Sequence, residues 1–527
     1  MKKTIYLLPL ALCCFYFSNA QKKDKADKYA ATITAGDLKK QLTIIASDEM
    51  EGRETGTEGQ RKAAAYIESQ FKKMGLAPVA VLNGYQQLYP LYQDSLSSEI
   101  TVNNQPLVYG QDYISPASNN ETGNNTTASI IFAGYGIDDS TYSDYSNIDV
   151  KGKVVVFFLG EPKKEGKYII SGTNRPSKWT YPGLSIKLAM AKSRGALGAF
   201  VVSLVQESFT QRAIDNSKKS TLYFPREGAG MPVNYALLSH TYAKTILPNT
   251  FDTLLKQVKS FQPIATSWLT ESKLSVQLKY NRFRTTVNAS NVAGVVEGSD
   301  KKDEYVFCTA HYDHLGKHDG KIYYGADDDG SGTCGVLEMA EAFAKAKKAG
   351  NGPRRTMIFM TVSGEEKGLW GSEYYSDHPF FDLNKTSADL NTDMVGRVDT
   401  ERKSADSLNY VYVIGHDKLS SDLPVTNEAA NTRNGAITLD YKFDDPNDQE
   451  RIYYRSDHYN FARKGVPVLF FYDGMLKADY HKPTDTVDKI NFELYQKRVR
   501  MIFYTAWEIA NRDDMLKRDI PLPEGSR

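Results

Sequence analysis

The chain has 527 residues, too many for one ordinary hydrophobic core, so at least two domains are expected. With 41% apolar and 24% charged residues it is not a disordered chain, and 65 basic against 64 acidic residues exclude a nucleic-acid footprint or a polybasic membrane patch. The one long apolar run lies at the N-terminus. Lys2 and Lys3 precede an apolar stretch from Ile5 to Phe17, and Ser18-Asn19-Ala20 forms a small-x-Ala cleavage site. The run is too short and wrongly flanked to span a bilayer, so residues 1–20 read as a signal peptide removed near Ala20. The protein is therefore expected to be exported, to the periplasm or beyond, with no stable membrane insertion. Leu12 is a poor residue to precede Cys13 in a lipobox. Only Cys308 and Cys334 then remain, which excludes a disulfide framework. Both read as small buried residues, and a bridge between them is left open.

Beyond a charged leader, Asp37 to Ile45 is amphipathic. Thr57 to Met74 reads as a helix, with Ala63, Ala64, Ile67, Phe71 and Met74 on one face and Gly75 as its cap. From about Ser95 to Ser275 the chain is rich in Asn, Ser, Thr and Tyr, and its strands are short: 129–133, 154–158 and 199–202, with a helix from Leu184 to Ser193. His240, the only histidine there, reads as structural. From Val287 onward buried strands alternate with helices. Strands are expected at 305–310, 356–362, 388–394, 411–414 and 466–471, and helices at 333–346 and 492–510. Near-continuous apolar strands between helices predict an α/β domain with a mostly parallel, mixed sheet covered on both faces. The expected segments are 21–95 and 281–512 for this domain, 96–280 for a smaller β-rich insertion, and 513–527 for a loose tail.

The chemistry-bearing residues fall just after predicted strands, at the carboxyl edge where open α/β sheets bind ligands. His311-Tyr312-Asp313-His314 follows the first strand, and Asp313 is placed to fix the tautomer of His311. Asp327-Asp328-Asp329 precedes a helix among glycines. A helix N-terminus accounts for one or two acids, but three adjacent carboxylates call for cations. Glu365-Glu366 follows the second strand, a pair that can divide metal binding from general-base work. Asp393 ends an apolar run, where an unpaired acid is costly. His481 follows Tyr480 in a polar loop after the last strand.

In this order the five motifs resemble those of the zinc aminopeptidases of peptidase family M28. The resemblance extends to Ala46–Gly59, which is similar to that family's N-terminal entry. It also covers Ala133-Gly134-Tyr135-Gly136-Ile137, 150–156 and 193–199, which resemble the protease-associated (PA) domain that many members carry as an insertion. The resemblance implies a phosphorylase/hydrolase-like zinc exopeptidase fold and two Zn2+ ions. It assigns His311 and Asp393 to one ion, Glu366 and His481 to the other, and Asp328 to the bridge. It makes Glu365 the general base, Asp313 the outer partner of His311 and Tyr480 an aid to the carbonyl oxygen. The substrates implied are peptides with a free N-terminus. The pocket wall is expected around Arg397, Tyr453, Tyr454, Arg455 and Asp457, although Asp457 and His458 also read as a structural hydrogen-bonded pair. His318, His378 and His416 read as solvated loop residues.

Three other functions stay open. A dipeptidase or carboxypeptidase on the same scaffold would need a basic group for a substrate carboxylate, for which Arg397 and Arg455 are candidates. A glutaminyl cyclase or a receptor-like binding protein is disfavoured by the complete ligand set. The sequence leaves open whether the inserted domain binds peptide, covers the site or forms a homodimer.

Overall fold

The computed structural model describes residues 25–522 apart from 206, 227–229, 231, 407 and 434–436; the signal-peptide reading lies outside these. The chain divides into two compact units, 1–89 with 289–527, and 90–288. Both crossings fall inside long strands, β1 (Gln86–Val102) and β2 (Val276–Val296). Neither strand was legible in the sequence as a continuous element, so the expected boundaries at 95/96 and 280/281 fall several residues inside the second unit.

The first unit is built on a mixed sheet. β3 (Lys301–His311) lies at its centre, parallel to β4 (Arg355–Val362) on one side and to β5 (Thr386–Thr392) on the other. Next to β5 is β8 (Val468–Tyr472), also parallel. The sheet turns antiparallel at β6 (Tyr410–Ile414), which pairs with β8 and with the short parallel strand β7 (Thr438–Asp440). On the other flank the end of β2 runs antiparallel to β4. Every residue of β4, β5, β6 and β8 is buried, as expected for strands covered on both faces.

Helices α1 (Ala35–Ile45), α2 (Glu58–Met74), α3 (Gly330–Lys348) and α4 (Phe492–Asn511) supply one apolar layer. The α2 helix has the expected bounds: Thr57 is its N-cap, and Gly75 takes the left-handed conformation (φ 80°) that a cap there requires. Cys308 and Cys334 are both free and buried, so the bridge left open by the sequence does not form. Residues 513–522 do not form a loose tail. Leu516 is 3% exposed, and the Arg518 guanidinium donates to the carbonyl oxygens of Leu383 and Thr386 (2.5 and 2.7 Å).

The second unit carries a six-stranded sheet. Its parallel centre is Ile130–Phe132, Val154–Phe158, Gly198–Val202 and Tyr235–Leu238, with Glu271–Ser272 and Tyr113–Ile114 antiparallel at the edges. It is less purely β than its sequence suggests. Besides Leu184–Ser193 it has helices Gln211–Lys218, His240–Ile246 and Phe251–Lys259. These are only seven to nine residues long, shorter than the stretches over which helical periodicity is read. His240 is structural, with Nε2 2.7 Å from the Ser203 carbonyl.

Candidate functional site

The site lies at the carboxyl ends of β3, β4, β5 and β8. His311 closes β3, Glu365 and Glu366 follow β4, Asp393 follows β5, and His481 lies in the loop beyond β8. Their convergence follows from parallel neighbours sharing one edge.

The three consecutive acids take three different tasks. Asp329 caps α3, and its oxygens accept the backbone N–H groups of Gly332 (2.7 Å), Met394 (3.0 Å) and His311 (3.2 Å). Gly332 must be glycine, because a Cβ there would lie 2.1 Å from the Thr392 carbonyl oxygen. Asp327 accepts the Gly396 N–H (2.8 Å) and the Ser331 hydroxyl (3.2 Å), and burial together with Asp473 and Asp485 holds its carboxyl well above the usual range. Of the three, Asp328 alone lines the cleft. Its Oδ1 is 3.3 Å from His311 Nε2 and its Oδ2 is 3.2 Å from His481 Nε2. The peptide joining Asp328 to Asp329 is cis. Asp485, in the same polar loop as His481, accepts the N–H groups of Asp327 (3.0 Å) and Asp328 (3.1 Å) and so holds this turn.

The remaining acids complete two sets. Asp393 Oδ1 is 3.6 Å from His311 Nε2, and Glu366 Oε2 is 3.1 Å from His481 Nε2. Asp393 is steadied by the Ser456 hydroxyl (2.7 Å), itself an acceptor for the Asn391 amide (2.8 Å). Glu365 Oε2 stands 3.9 Å from His311 Nε2. Burial, opposed by His311 and reinforced by Glu366 and Asp393, holds the Glu365 carboxyl well above the usual range. Asp313 lies behind His311, with its carbonyl 3.1 Å and its carboxylate 3.6 Å from Nδ1. Its carboxylate also accepts the Thr55 hydroxyl (2.6 Å) and the Glu365 N–H (3.3 Å).

Thr55, Arg53 and His314 are site components that residue-by-residue reading missed. Thr55 and Arg53 lie within the 46–59 segment, so only the likeness of that segment pointed to them. Arg53 is fully buried and donates to the carbonyls of Ile45, Tyr312, Tyr324 and Gly325, tying the entry segment to the loops that carry His311 and Asp328. His314 is fully buried beside Glu366; its place in the H-x-D-H run was its only signal.

A small cleft opens over these groups. Asp328, Glu365, Asp393, Arg455 and Tyr480 line it, and Met394, Ile452, Phe470, Tyr472 and Leu476 give it an apolar wall. The Tyr480 ring stacks on His481 (3.8 Å between centroids), and its hydroxyl accepts from Arg455 Nη2 (3.3 Å). Asp457 does not line the cleft. It is buried, accepts the Ser372 hydroxyl (2.5 Å), and burial pushes its carboxyl up to about 7. His458 does not pair with it but stacks on Phe470, and burial pushes its imidazole down to about 3. Arg397 is held by Asp479 (2.8 Å).

The donor set suits a divalent metal such as zinc, which takes imidazole nitrogen and carboxylate oxygen. Two groups of ligand-type atoms gather within 4.8 Å, His311, Asp329 and Asp393 in one and His314, Asp328 and Glu366 in the other. Asp328 Oδ2 and Glu366 Oε1 are buried without a hydrogen bond. Such a concentration of buried acid is costly unless cations offset it. A third group, His416, Asp417 and Asp444, is already neutralised from within, since the Lys418 ammonium donates to both acids. His416 is thus a partnered residue stacked on Tyr441, not the solvated one expected.

Residues 291–506 match the model of peptidase family M28. Over that segment the chain is similar to the peptidases of family M28. It is 28% identical over 225 residues to a probable leucine aminopeptidase of Arthroderma otae, covering 42% of this chain and 57% of that protein. It is 26% identical over 252 residues to aminopeptidase YwaD of Bacillus subtilis, covering 46% and 50%. The chain thus spans about half the length of the curated relatives it matches. The aminopeptidase structure from Aneurinibacillus sp. strain AM-1 shares the fold, at a TM-score of 0.50 and 18% identity, over 94% of this chain and 99% of that one. Among the described residues no helix is long and apolar enough to cross a membrane.

Proposed function

We propose that the protein is an exported di-zinc aminopeptidase. The observation that carries this reading is the position of Asp328, whose Oδ1 faces His311 and whose Oδ2 faces His481, each histidine with its own second acid. In this reading His311 and Asp393 hold one zinc, Glu366 and His481 the other, and Asp328 joins them. When bound, the ions supply Lewis acidity and lower the pKa of water. Glu365 is the general base: it lines the cleft, is held by the Asp313 contact to its N–H, and its carboxylate can take a proton from water and return it to the leaving amine. Tyr480 accepts from Arg455, which leaves its own hydroxyl proton free to donate to the substrate carbonyl oxygen as charge develops there. The acids lining the cleft favour a substrate amine, and the apolar wall favours an apolar N-terminal side chain. Residues 90–288 belong to the same proposal as a protease-associated domain, on the strength of the three segments that resemble it.

Arg455 supports a second reading. It is the only cationic side chain among the described residues lining the cleft, and it would suit a substrate carboxylate in a dipeptidase or carboxypeptidase. Mass spectrometry of a peptide panel separates the two. Each peptide is paired with its N-acetylated and C-amidated twins, with and without a chelator. Chelator-sensitive loss of the first residue, blocked only by acetylation, is the expected result. Loss of the last residue, blocked by amidation, would transfer the function to the second reading.

A further inference from the structure

Asp313 and His314 are consecutive, fully buried, and turn to opposite members of the acid–histidine pair of sets. Asp313 stands behind His311. His314 Nδ1 lies 2.7 Å from Glu366 Oε1, the oxygen on the far side of the carboxylate from the one that faces His481. Neither ring nitrogen of His314 forms a hydrogen bond, and neither does Glu366 Oε1, so this close approach is the shortest polar contact of both atoms. His314 Nδ1 is 3.9 Å from Asp328 Oδ2, farther than His481 Nε2 at 3.2 Å. Space for the ring is built in: a Cβ on Gly325 would lie 2.5 Å from His314 Cγ, and Gly325 itself has a φ of 53°.

From this geometry we infer that His314 is a positioning residue: its Nδ1–H holds the second oxygen of Glu366 and so sets the affinity of one of the two metal sites. The Asp313-His314 dipeptide then buttresses both sites, a carboxylate and carbonyl orienting the imidazole on one side and an imidazole orienting the carboxylate on the other. Ligating groups are ordinarily held in this way, and loss of such a partner weakens metal binding about 10–100-fold. The inference rests on the di-zinc reading.

Competition with a chromophoric chelator, titrated with zinc alone, tests it on the full chain. Wild type is expected to bind two equivalents. His314→Leu is expected to keep one at wild-type affinity and to weaken the other about 10–100-fold. His314→Asn, whose Nδ2–H takes the place of Nδ1–H, is expected to recover most of that loss. A readout of packing alone would not distinguish Leu from Asn in this order. Unchanged affinities in His314→Leu, or equal weakening at both sites, would overturn the inference. So would complete loss of one equivalent in both variants, which would make His314 a ligand. If His314→Leu does not fold, His314→Asn, with its N–H at the δ position, is expected to bind the second zinc more tightly than His314→Gln, with its N–H at the ε position. Fewer than two equivalents in wild type would overturn the di-zinc reading itself, before any variant is compared.

Discussion

The two units treat buried charge in opposite ways. In residues 90–288 the buried ions are answered within the chain. Asp94 takes Arg282, Arg284 (2.9 Å) and the Tyr223 hydroxyl (2.5 Å). Asp144 takes the N–H groups of Tyr135 (3.0 Å) and Ile137 (3.1 Å), and the Lys187 ammonium donates to the carbonyls of Tyr135 (2.6 Å) and Gly160 (2.5 Å). Among the described residues every buried carboxylate oxygen without a hydrogen bond lies in the other unit: those of Asp327, Asp328, Glu338, Glu366, Asp389 and Asp457. Buried acids that satisfy themselves are architecture. Acids left unanswered, gathered around two histidines at a sheet edge, mark where a cation belongs.

Substitutions at the acids that face the two histidines should therefore cost activity, and those at the answered acids of residues 90–288 stability. The largest effect is expected from Glu365→Gln, which should keep its zinc and lose about 10^2–10^4-fold in kcat. Metal analysis beside peptide hydrolysis checks this, and a variant within tenfold of wild type would remove Glu365 as the base. Asp328→Asn should lose both ions together, because one side chain faces both sets; retention of one ion at full affinity would break the bridging role. Chelation should then destabilise the first unit by about 4 kcal/mol if zinc stands near 1,000 times its Kd, and leave the second unit unmoved, as hydrogen exchange would read.

Asp94→Ala should do the reverse. It strands Arg282, whose side chain is 12% exposed, beside the half-exposed Arg284, at a cost of about 1–3 kcal/mol in denaturant unfolding and with zinc content unchanged. A pH scan reads the buried ions of residues 90–288 directly. Burial pushes Asp144 up to about 6, so from about pH 4 to 6 the folded state keeps a proton that the unfolded chain releases, and stability falls. Burial pushes Lys187 down to about 7, so above that pH the unfolded chain binds the extra proton, and stability rises towards pH 10. The two groups give residues 90–288 a stability minimum between about pH 6 and 7. Asp144→Asn should remove its acid limb and Lys187→Met its alkaline limb.

The sequence alone determined the elements whose signal is local. Apolar runs such as 356–362 and 468–472 are buried along their whole length and announce themselves by composition. The α2 helix announces itself by periodicity and by its Thr57 and Gly75 caps. The placement of His311, Glu365, Glu366, Asp393 and His481 after strands was legible because parallel sheets bind at one edge. Tertiary structure decided what depends on long-range pairing. β1 and β2 read as fragments because their burial changes along their length as their neighbours change. Asp327, Asp328 and Asp329 are chemically identical, and family likeness alone preferred the middle one. Backbone N–H groups of Gly396, Met394 and His311, from distant parts of the chain, occupy its two neighbours and leave Asp328 to face both histidines. His314 could be placed only once the fold brought Glu366 to its ring, because the partner of a buried donor is a property of the packed chain and not of its own segment.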